Sequence, residues 1–254
     1  MITKLVNKII NKLGFDLKRY NLNQKQINFN NLLKDKISKN PIIFDVGANK
    51  GQSIEKYLKI FENPIIHSFE PIKTEFDYMC GKFKDNKNIF LNNFALGDKT
   101  EDKELNVTAK TGTSSFNKIN LETDWLKLRS KQYNVSKEGF VTSVQKVNVR
   151  KLDDYCKDNN ISVLDLVKID TQGYEDKVLE GSLNLIKQNK IKVITIEIIF
   201  DNVYDKHFSF LDIEKYIIPY NFRMVGIDLL NNSLFSNLAF YAHVYYFNKN
   251  FYKL

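Results

Sequence analysis

Short apolar runs rich in β-branched residues alternate with polar segments of helical spacing along most of the chain from Pro41 onward. Each run is compact and is followed by a helical stretch. This pattern is typical of repeated βα units and of a mostly parallel sheet whose strands are covered on both faces. It therefore predicts a doubly wound α/β fold. The predicted strands of this kind are residues 42–46, 65–69, 89–94, 163–169 and 193–199.

The two ends of the chain differ from this alternation. Residues 222–227 and 240–247 are strand-like with a turn-rich segment between them, which predicts an antiparallel pair at one edge of the sheet. Residues 2–13 place apolar side chains at helical spacing opposite three lysines, and residues 24–38 predict a second helix. We therefore expect an N-terminal helical extension over residues 1–40 and one main domain over residues 41–254.

A long insertion, residues 97–152, separates the third predicted strand from the fourth. It contains strand-like pieces at 103–109 and 141–149, with the small polar loop Thr111-Gly112-Thr113-Ser114-Ser115 between them. Loops of this length inside a compact domain are usually functional or mobile. We expect the insertion to form part of the binding site for the second substrate.

Composition narrows the setting of the protein. The 254 residues contain no apolar run of the roughly 18 or more residues that span a bilayer, and the N-terminus lacks the features of a secretory signal. Cys80 and Cys156 are isolated thiols without metal-ligand spacing, which favours a reducing compartment. We therefore expect a cytoplasmic protein, with both thiols structural.

The net charge of +8 comes from scattered lysines, and no basic stretch is interleaved with stacking aromatic residues. We therefore expect no nucleic-acid partner. The basic amphipathic helix at 2–13 is compatible with peripheral contact to the inner face of a membrane, but equally with packing on its own domain or on a second subunit. The oligomeric state stays open, with a homodimer as one option.

The most informative segment is a strand that ends in Asp45 and is followed by a glycine-bearing turn and a helix. In open α/β sheets, ligands bind beyond the carboxyl ends of such strands. Gly47 and Gly51 allow the backbone to approach a ligand closely, or Gly47 simply serves a turn with positive φ. The Gly-x-x-x-Gly spacing, with Asn49 inside it, departs from the dinucleotide fingerprint and from the P-loop. NAD is therefore disfavoured.

Further carboxylates follow the next strands. Glu70 ends the second strand, where a carboxylate can accept hydrogen bonds from vicinal ribose hydroxyls. Asp170 ends the fourth strand and Glu197 the last parallel one, with Glu175 just after Asp170. Asp170 is thus the candidate to orient or deprotonate an acceptor hydroxyl, with Glu175 and Glu197 supporting it. These carboxylates are also compatible with Mg²⁺, which is a secondary option.

The histidines show no ligand spacing along the chain. His67 and His243 fall inside predicted strands, and we expect them to be packed. His207 lies in a loop beside two aspartates and is the candidate for a second base.

Several motifs, in this order, resemble the FkbM-type methyltransferase family, from about Pro41 to Glu197. The resemblance implies an S-adenosylmethionine-dependent enzyme with a seven-strand Rossmann-like methyltransferase sheet. It also implies O-methylation of a sugar, a polysaccharide or a secondary metabolite, with residues 41–254 as the methyltransferase domain. The motifs are Asp45-Val46-Gly47-Ala48-Asn49-x-Gly51, Phe69-Glu70-Pro71, Ala95-Leu96-Gly97-Asp98, Leu152-Asp153-Asp154, Lys168-Ile169-Asp170-x-x-Gly173-x-Glu175 and Leu179-Glu180-Gly181.

The resemblance also assigns roles to residues. It places Glu70 on the ribose, and Ser114 and Ser115 along the acceptor site. Thr171-Gln172 and Tyr174 depart from the smaller or acidic residues more frequent in the family, which leaves the acceptor open. The residues implied to contact the cofactor are Asp45, Gly47, Ala48, Asn49, Gly51, Glu70, Pro71, Asn93, Ala95 and Asp170.

Two other classes of protein remain as alternatives. An NAD-dependent nucleotide-sugar epimerase or dehydrogenase shares the strand-turn-helix and the ribose carboxylate, but its Tyr-x-x-x-Lys pair is not in place. Tyr78 and Lys82 have that spacing, yet they fall on a predicted helix after the second strand, where they cannot meet a nicotinamide. A non-catalytic scaffold module would keep the fold without the chemistry. The presence of Asp45, Glu70 and Asp170 argues against it.

Overall fold

The computed structural model describes residues 28–206, 208–231 and 239–252. Its helices are α1 Phe29–Lys36, α2 Gln52–Ile60, α3 Lys73–Phe83, α4 Asp124–Tyr133, α5 Leu152–Asp158, α6 Glu175–Glu180, α7 Leu183–Lys187 and α8 Phe210–Glu214. Its strands are β1 Ile42–Val46, β2 Ile65–Phe69, β3 Ile89–Asn92, β4 Ala95–Leu96, β5 Glu101–Thr108, β6 Val141–Arg150, β7 Leu164–Ile169, β8 Ile191–Ile199, β9 Phe222–Asn231 and β10 Ala239–Asn248.

Seven of these strands form one sheet in the order β3-β2-β1-β7-β8-β10-β9. The strands β3, β2, β1, β7 and β8 are parallel, and β10 runs antiparallel to both β8 and β9. The chain direction splits at β1, which pairs with β2 on one side and β7 on the other. The predicted doubly wound sheet with an antiparallel C-terminal strand is confirmed, and the split creates a crevice at its carboxyl end.

Both faces of the sheet are buried, which explains why the parallel strands read as continuous apolar runs. Within β1, Ile43 belongs to the core on one face, whereas Phe44 and Val46 belong to the core on the other. The face that carries Ile43 is covered by α1 and α2, and Phe29 of α1 stacks on Tyr245 with ring centroids 4.3 Å apart. The second predicted helix therefore packs on the sheet.

Strands β5 and β6 of the insertion join β4 in a second, three-stranded sheet of order β4-β6-β5. Along the chain, α4 lies between β5 and β6. Trp125 of α4 and Phe140 pack against Phe240 of β10 and Tyr204, which fixes the insertion against the main sheet. The predicted strand pieces 103–109 and 141–149 correspond to β5 and β6. The insertion is thus an ordered layer at the carboxyl end of β1 and β7.

Several predicted boundaries shift. The helix predicted over 24–38 is described as Phe29–Lys36, capped by the Asn28 side chain, which accepts a hydrogen bond from the Asn31 N–H at 3.0 Å. The helix predicted over 2–13 and His207 lie outside the described residues. Within the described part of the chain, no helix is long and apolar enough to cross a membrane.

Candidate active site

The carboxyl ends of β1 and β7 meet so closely that one position admits only glycine. Gly47 has φ of +79°, and a Cβ there would lie 1.9 Å from the Asp170 carbonyl oxygen. The Asp170 N–H in turn donates to the Val46 carbonyl at 3.0 Å. This contact sets the Asp170 side chain at the mouth of the crevice.

Two adjoining cavities open at this point. The larger has a volume of about 830 Å³ and lies under the insertion, bounded by α4 and by the loop from Ala109 to Thr113. The second is narrower and runs from Gly47 past Glu70 to Ala95 and Leu96. The residues that line both are Gly47, Asn49, Thr111, Gly112, Asp170 and Gln172.

The narrower pocket combines one buried carboxylate with apolar walls. Glu70 accepts hydrogen bonds from the backbone N–H groups of Asn49 at 2.7 Å and Ile72 at 2.8 Å. Burial raises its pKa to about 7, against the effect of these two hydrogen bonds. Each carboxylate oxygen keeps acceptor capacity for a ligand. The rings of Phe116 and Tyr174 form the far wall.

A buried lysine connects the two strands below the crevice. The Lys168 ammonium lies 3.1 Å from Asp45 and 3.3 Å from Asp170, and it donates to the Gly47 carbonyl at 2.9 Å. Burial lowers the pKa of Lys168, but the two carboxylates have the larger combined effect, so the pKa of Lys168 is raised. Burial raises the pKa of Asp45 despite the ammonium. The register pairs Asp45 directly with Lys168, so both point to the same face of the sheet.

Asp170 and Glu197 form a carboxyl pair on the floor of the larger cavity. The Gln172 amide donates to both, at 2.8 Å to Asp170 and 2.6 Å to Glu197. Burial opposes ionisation of Asp170, but Lys168 and Gln172 together hold its pKa below the ordinary value. Burial and the charge of Asp170 raise the pKa of Glu197 well above its ordinary range. A proton on this pair is therefore favoured on Glu197 rather than on Asp170.

His243 completes a row across the sheet. It pairs in register with Glu197 on the neighbouring strand, and its Nε2 atom lies 3.9 Å from a Glu197 oxygen. Burial lowers the pKa of His243, so the ring is neutral at pH 7. One ligand atom each from Asp170, Glu197 and His243 lies within 4.8 Å of the others. Among the described residues, these three side chains form the group that could hold a metal ion.

The loop after Asp170 is locked by Glu175, the first residue of α6. Its carboxylate accepts hydrogen bonds from the Thr171 N–H at 2.9 Å and the Gly173 N–H at 3.0 Å. Burial raises the pKa of Glu175 to about 7. Gln172 sits in this loop with φ of +56°. Glu175 thus fixes the backbone that presents the Gln172 amide to the carboxyl pair.

Residues 45–224 match the model of the methyltransferase FkbM domain. The chain belongs to the FkbM methyltransferase family. The members of this family are S-adenosylmethionine-dependent methyltransferases.

One curated relative of this FkbM-family methyltransferase is the 2-O-methyltransferase NoeI of Sinorhizobium fredii (strain NBRC 101917 / NGR234), which is 22% identical over 158 residues. The match covers 59% of this chain and 60% of NoeI, so the chain spans about three fifths of that relative's length.

Two solved structures resemble this FkbM-family methyltransferase. TrmK of M. capricolum, in complex with S-adenosylhomocysteine, has a TM-score of 0.46 at 12% identity and covers 89% of this chain and 69% of its own. Magnesium protoporphyrin IX methyltransferase (ChlM) of Synechocystis PCC 6803, with S-adenosylmethionine bound, has a TM-score of 0.45 at 9% identity and covers 96% of each chain.

Of the ten residues predicted to contact the cofactor, seven line one or both cavities and three do not. The residues that line one or both cavities are Gly47, Ala48, Asn49, Glu70, Pro71, Ala95 and Asp170. Asp45 does not line either cavity, because it is fully buried against Lys168. Gly51 caps α2 with φ of +78°, and a Cβ there would strike the Phe83 ring at 2.4 Å. Asn93 turns its amide to the Glu70 and Pro71 carbonyls, at 2.9 and 3.1 Å.

The two serines predicted to line the acceptor site, Ser114 and Ser115, do not line the larger cavity. Ser114 lines the narrower pocket, and its hydroxyl accepts from the Thr108 N–H at 3.1 Å. Ser115 is 1% exposed and donates to the Gln172 carbonyl at 2.6 Å. Ser115 thus anchors the loop that carries Gln172, and its assignment to the acceptor site stays a prediction.

Sequence reasoning missed three residues of the larger cavity. His243 was expected to be packed, whereas it lines the cavity beside Glu197. Lys110 and Arg129, from the insertion, line it as well. The signal for His243 lay in the strand register, which a single sequence does not fix. His67, by contrast, is buried as expected and pairs with the Tyr155 hydroxyl at 2.8 Å.

Proposed function

We propose that this FkbM-family methyltransferase binds S-adenosylmethionine in the narrower pocket and methylates a hydroxyl group of a sugar, a polysaccharide or a secondary metabolite held in the larger cavity. One observation carries the proposal: the ionised Asp170 carboxylate lies where a nucleoside-type pocket opens into a large polar cavity. NoeI, a 2-O-methyltransferase, supports oxygen as the acceptor atom.

The residues of the narrower pocket fit the cofactor. Glu70 offers buried acceptor oxygens to vicinal ribose hydroxyls, and Ala95 and Leu96 leave an apolar slot for the adenine. Gly47, which adds no side chain at the shared mouth beside Asp170, would lie against the amino-acid portion. When bound, S-adenosylmethionine supplies an electrophilic methyl group to an acceptor aligned with its sulfur.

Asp170 is the base in this mechanism. An alcohol must lose its proton as the new C–O bond forms, and a carboxylate in contact with it accepts that proton, which contributes roughly 10²- to 10⁴-fold. Lys168 holds Asp170 ionised, and the Gln172 amide, which donates to both Asp170 and Glu197, fixes its orientation. Most of the remaining acceleration comes from alignment and from excluding water beneath the insertion.

The other polar residues act through Asp170. Glu175 positions Gln172 through the loop, and His243 contacts Glu197 rather than the mouth. Neutral His243 is the second candidate base, because burial keeps it unprotonated at pH 7. The two assignments differ in the pH profile of kcat. With His243 as base, kcat falls as the pH drops through the pKa of His243, which burial holds below the ordinary value near 6.5; with Asp170 as base, kcat stays flat through that range.

Two conservative variants test the assignment. Asp170→Asn should lower kcat by about 100-fold or more with little effect on the affinity for S-adenosylhomocysteine. Glu197→Gln keeps a neutral hydrogen-bonding group of the same shape, so it should retain most of the turnover. The assay is transfer of a radiolabelled methyl group to surface glycan isolated from a strain that lacks the gene. Equal turnover of Asp170→Asn and wild type would remove Asp170 from the mechanism.

Cofactor binding is tested separately by titration calorimetry with S-adenosylhomocysteine and NAD side by side. Binding of the former alone is expected. Binding of NAD alone would favour the epimerase or dehydrogenase alternative, and binding of neither would favour a scaffold. Tyr78 and Lys82, the pair that the NAD alternative needs, lie on α3 outside both cavities, and Lys82 is ion-paired with Glu55 at 2.9 Å.

A further inference from the structure

Two cations on the wall of the larger cavity lack counter-ions. Lys110 precedes the turn Thr111–Thr113, and Arg129 lies on α4, so both belong to the insertion. Among the residues that the structure describes, neither side chain forms an ion pair with a carboxylate. Lys168, in contrast, contacts two aspartates in the same cavity. Lys50, exposed in the turn after β1, also lines the cavity without an ion pair among the described residues, whereas Lys110 and Arg129 are partly buried and both come from the insertion.

The Arg129 guanidinium is only partly satisfied. One terminal nitrogen donates to Gln132 at 2.7 Å, but the Nε atom is buried and has no hydrogen-bond partner. A buried donor without an acceptor costs about 1–3 kcal/mol. Because the Nε atom is shielded from the cavity, an anion would accept from the other terminal nitrogen, which forms no hydrogen bond among the described residues.

Lys110 and Arg129 also act on each other. Burial, and then the charge of Arg129, lower the pKa of Lys110, while Glu197 and Asp170 raise it. Burial lowers the pKa of Arg129. The lysine thus experiences the charge of the arginine and that of the carboxyl pair. The repulsion of two partly desolvated cations is relieved by a negative charge placed between them.

The surroundings of this pair suit a glycan. The cavity of about 830 Å³ falls within the range of small-molecule sites, and Tyr133 and Tyr241 line it close enough to Arg129 to interact with its charge. Tyrosine presents an apolar face together with a polar hydroxyl.

We propose that the acceptor carries an anionic group, a carboxylate, sulfate or phosphate ester, which binds between Lys110 and Arg129 while its hydroxyl lies at Asp170. This rests on the proposed function, because it names the class of acceptor for the same site. The wall built by the insertion therefore selects anionic acceptors over neutral ones. Arg129 matches the geometry of such oxyanions through parallel N–H donors, and Lys110 supplies a point charge.

The test is calorimetry on the full chain saturated with S-adenosylhomocysteine, using probes that differ only in charge. The pairs are 4-nitrophenyl glucuronide against 4-nitrophenyl glucoside, and glucose 6-sulfate and glucose 6-phosphate against glucose. At least one anionic probe should bind about tenfold or more tightly than its neutral partner. The tightest of the three identifies the anion. Higher ionic strength should weaken the binding of the anionic probe and leave the affinity for the neutral probe unchanged.

Three variants assign the effect to the two cations. Lys110→Met and Arg129→Met should each remove most of the preference, whereas Arg129→Lys should keep part of it, because the charge stays. Lys131→Met, on the exposed face of the same helix, is the matched control and should leave the preference intact. The affinity for S-adenosylhomocysteine should be the same in all four.

Two results would overturn the proposal. One is that no anionic probe binds more tightly than its neutral partner, including the case in which no probe binds. The other is a preference that survives both methionine variants. A chain that fails to bind S-adenosylhomocysteine would instead count against the proposed function.

Discussion

Lys168→Met tests the buried charge group below the crevice. The variant keeps the length of the side chain and removes the ammonium. Asp45 is fully buried and has no hydrogen-bond partner besides this ion-pair contact, so its charge would be left uncompensated. Breaking a buried pair in this way costs about 3–5 kcal/mol.

Proton uptake by Asp45 limits its own share of that cost, while Asp170 keeps the hydrogen bond from the Gln172 amide. Asp45 in the variant escapes the penalty by becoming neutral, which at about pH 7 costs about 4 kcal/mol for a carboxyl of ordinary pKa near 3.9. We therefore expect the free energy of unfolding to fall by about 3–4 kcal/mol at about pH 7. The folded-state pKa of Asp45 lies above the unfolded one, so stability is lost as the pH rises, and at about pH 5 the deficit should shrink to roughly 1.5–2 kcal/mol.

The measurement is urea unfolding, followed by circular dichroism and by the fluorescence of Trp125, the only tryptophan. The double variant Lys168→Met with Asp45→Asn should recover part of the deficit at neutral pH, since an amide carries no charge. Lys146→Met, which breaks an exposed pair with Asp102, is the control and should leave the unfolding midpoint unchanged. A deficit below about 1 kcal/mol, or one that persists at the lower pH, would refute the reasoning.

Three further predictions concern the two cavities. The affinity for S-adenosylhomocysteine should weaken as the pH falls below about 7, the pKa of Glu70, because only the ionised carboxylate accepts two ribose hydroxyls; calorimetry on Glu70→Gln should show no such pH dependence. Gly47→Ala should abolish cofactor binding and lower the melting temperature, since its Cβ would meet the Asp170 carbonyl, whereas Gly81→Ala, in the open on α3, should stabilise the protein by about 0.5–1 kcal/mol. Methyl transfer should persist when a chelator is added, because the Lys168 ammonium lies 3.3 Å from Asp170 and would repel a divalent cation there. Activity that is lost with EDTA and restored by Mg²⁺ would contradict this prediction.

The main sheet was predictable because its strands are buried on both faces. Burial of β1, β2, β7 and β8 requires unbroken apolar runs, and these runs are visible in the sequence without knowledge of their neighbours. The ends of the same strands located Glu70 and Asp170, since the carboxyl ends of parallel strands meet at one edge.

The contacts made across strands were not predictable in the same way. His243 reaches Glu197 only because β10 pairs antiparallel with β8 in one register, and a shift of one residue would turn the histidine to the opposite face. Asp45 was expected at the cofactor, but its partner across the sheet is Lys168, which holds it below the cavity. The sequence gives strand ends, whereas register depends on the packing of the whole sheet.

The two cavities also differ in how the chain builds them. The narrower pocket is lined mainly by the ends of β1, β2 and β7 and by β4, and the insertion adds residues such as Ser114 and Phe116. The wall of the larger one that carries Lys110 and Arg129 comes from the insertion. That wall packs on the sheet through Trp125 and Phe140, so its polar residues can change without disturbing Gly47 or the split of the sheet. Acceptor preference is therefore set by side chains that the methyl-transfer machinery does not require.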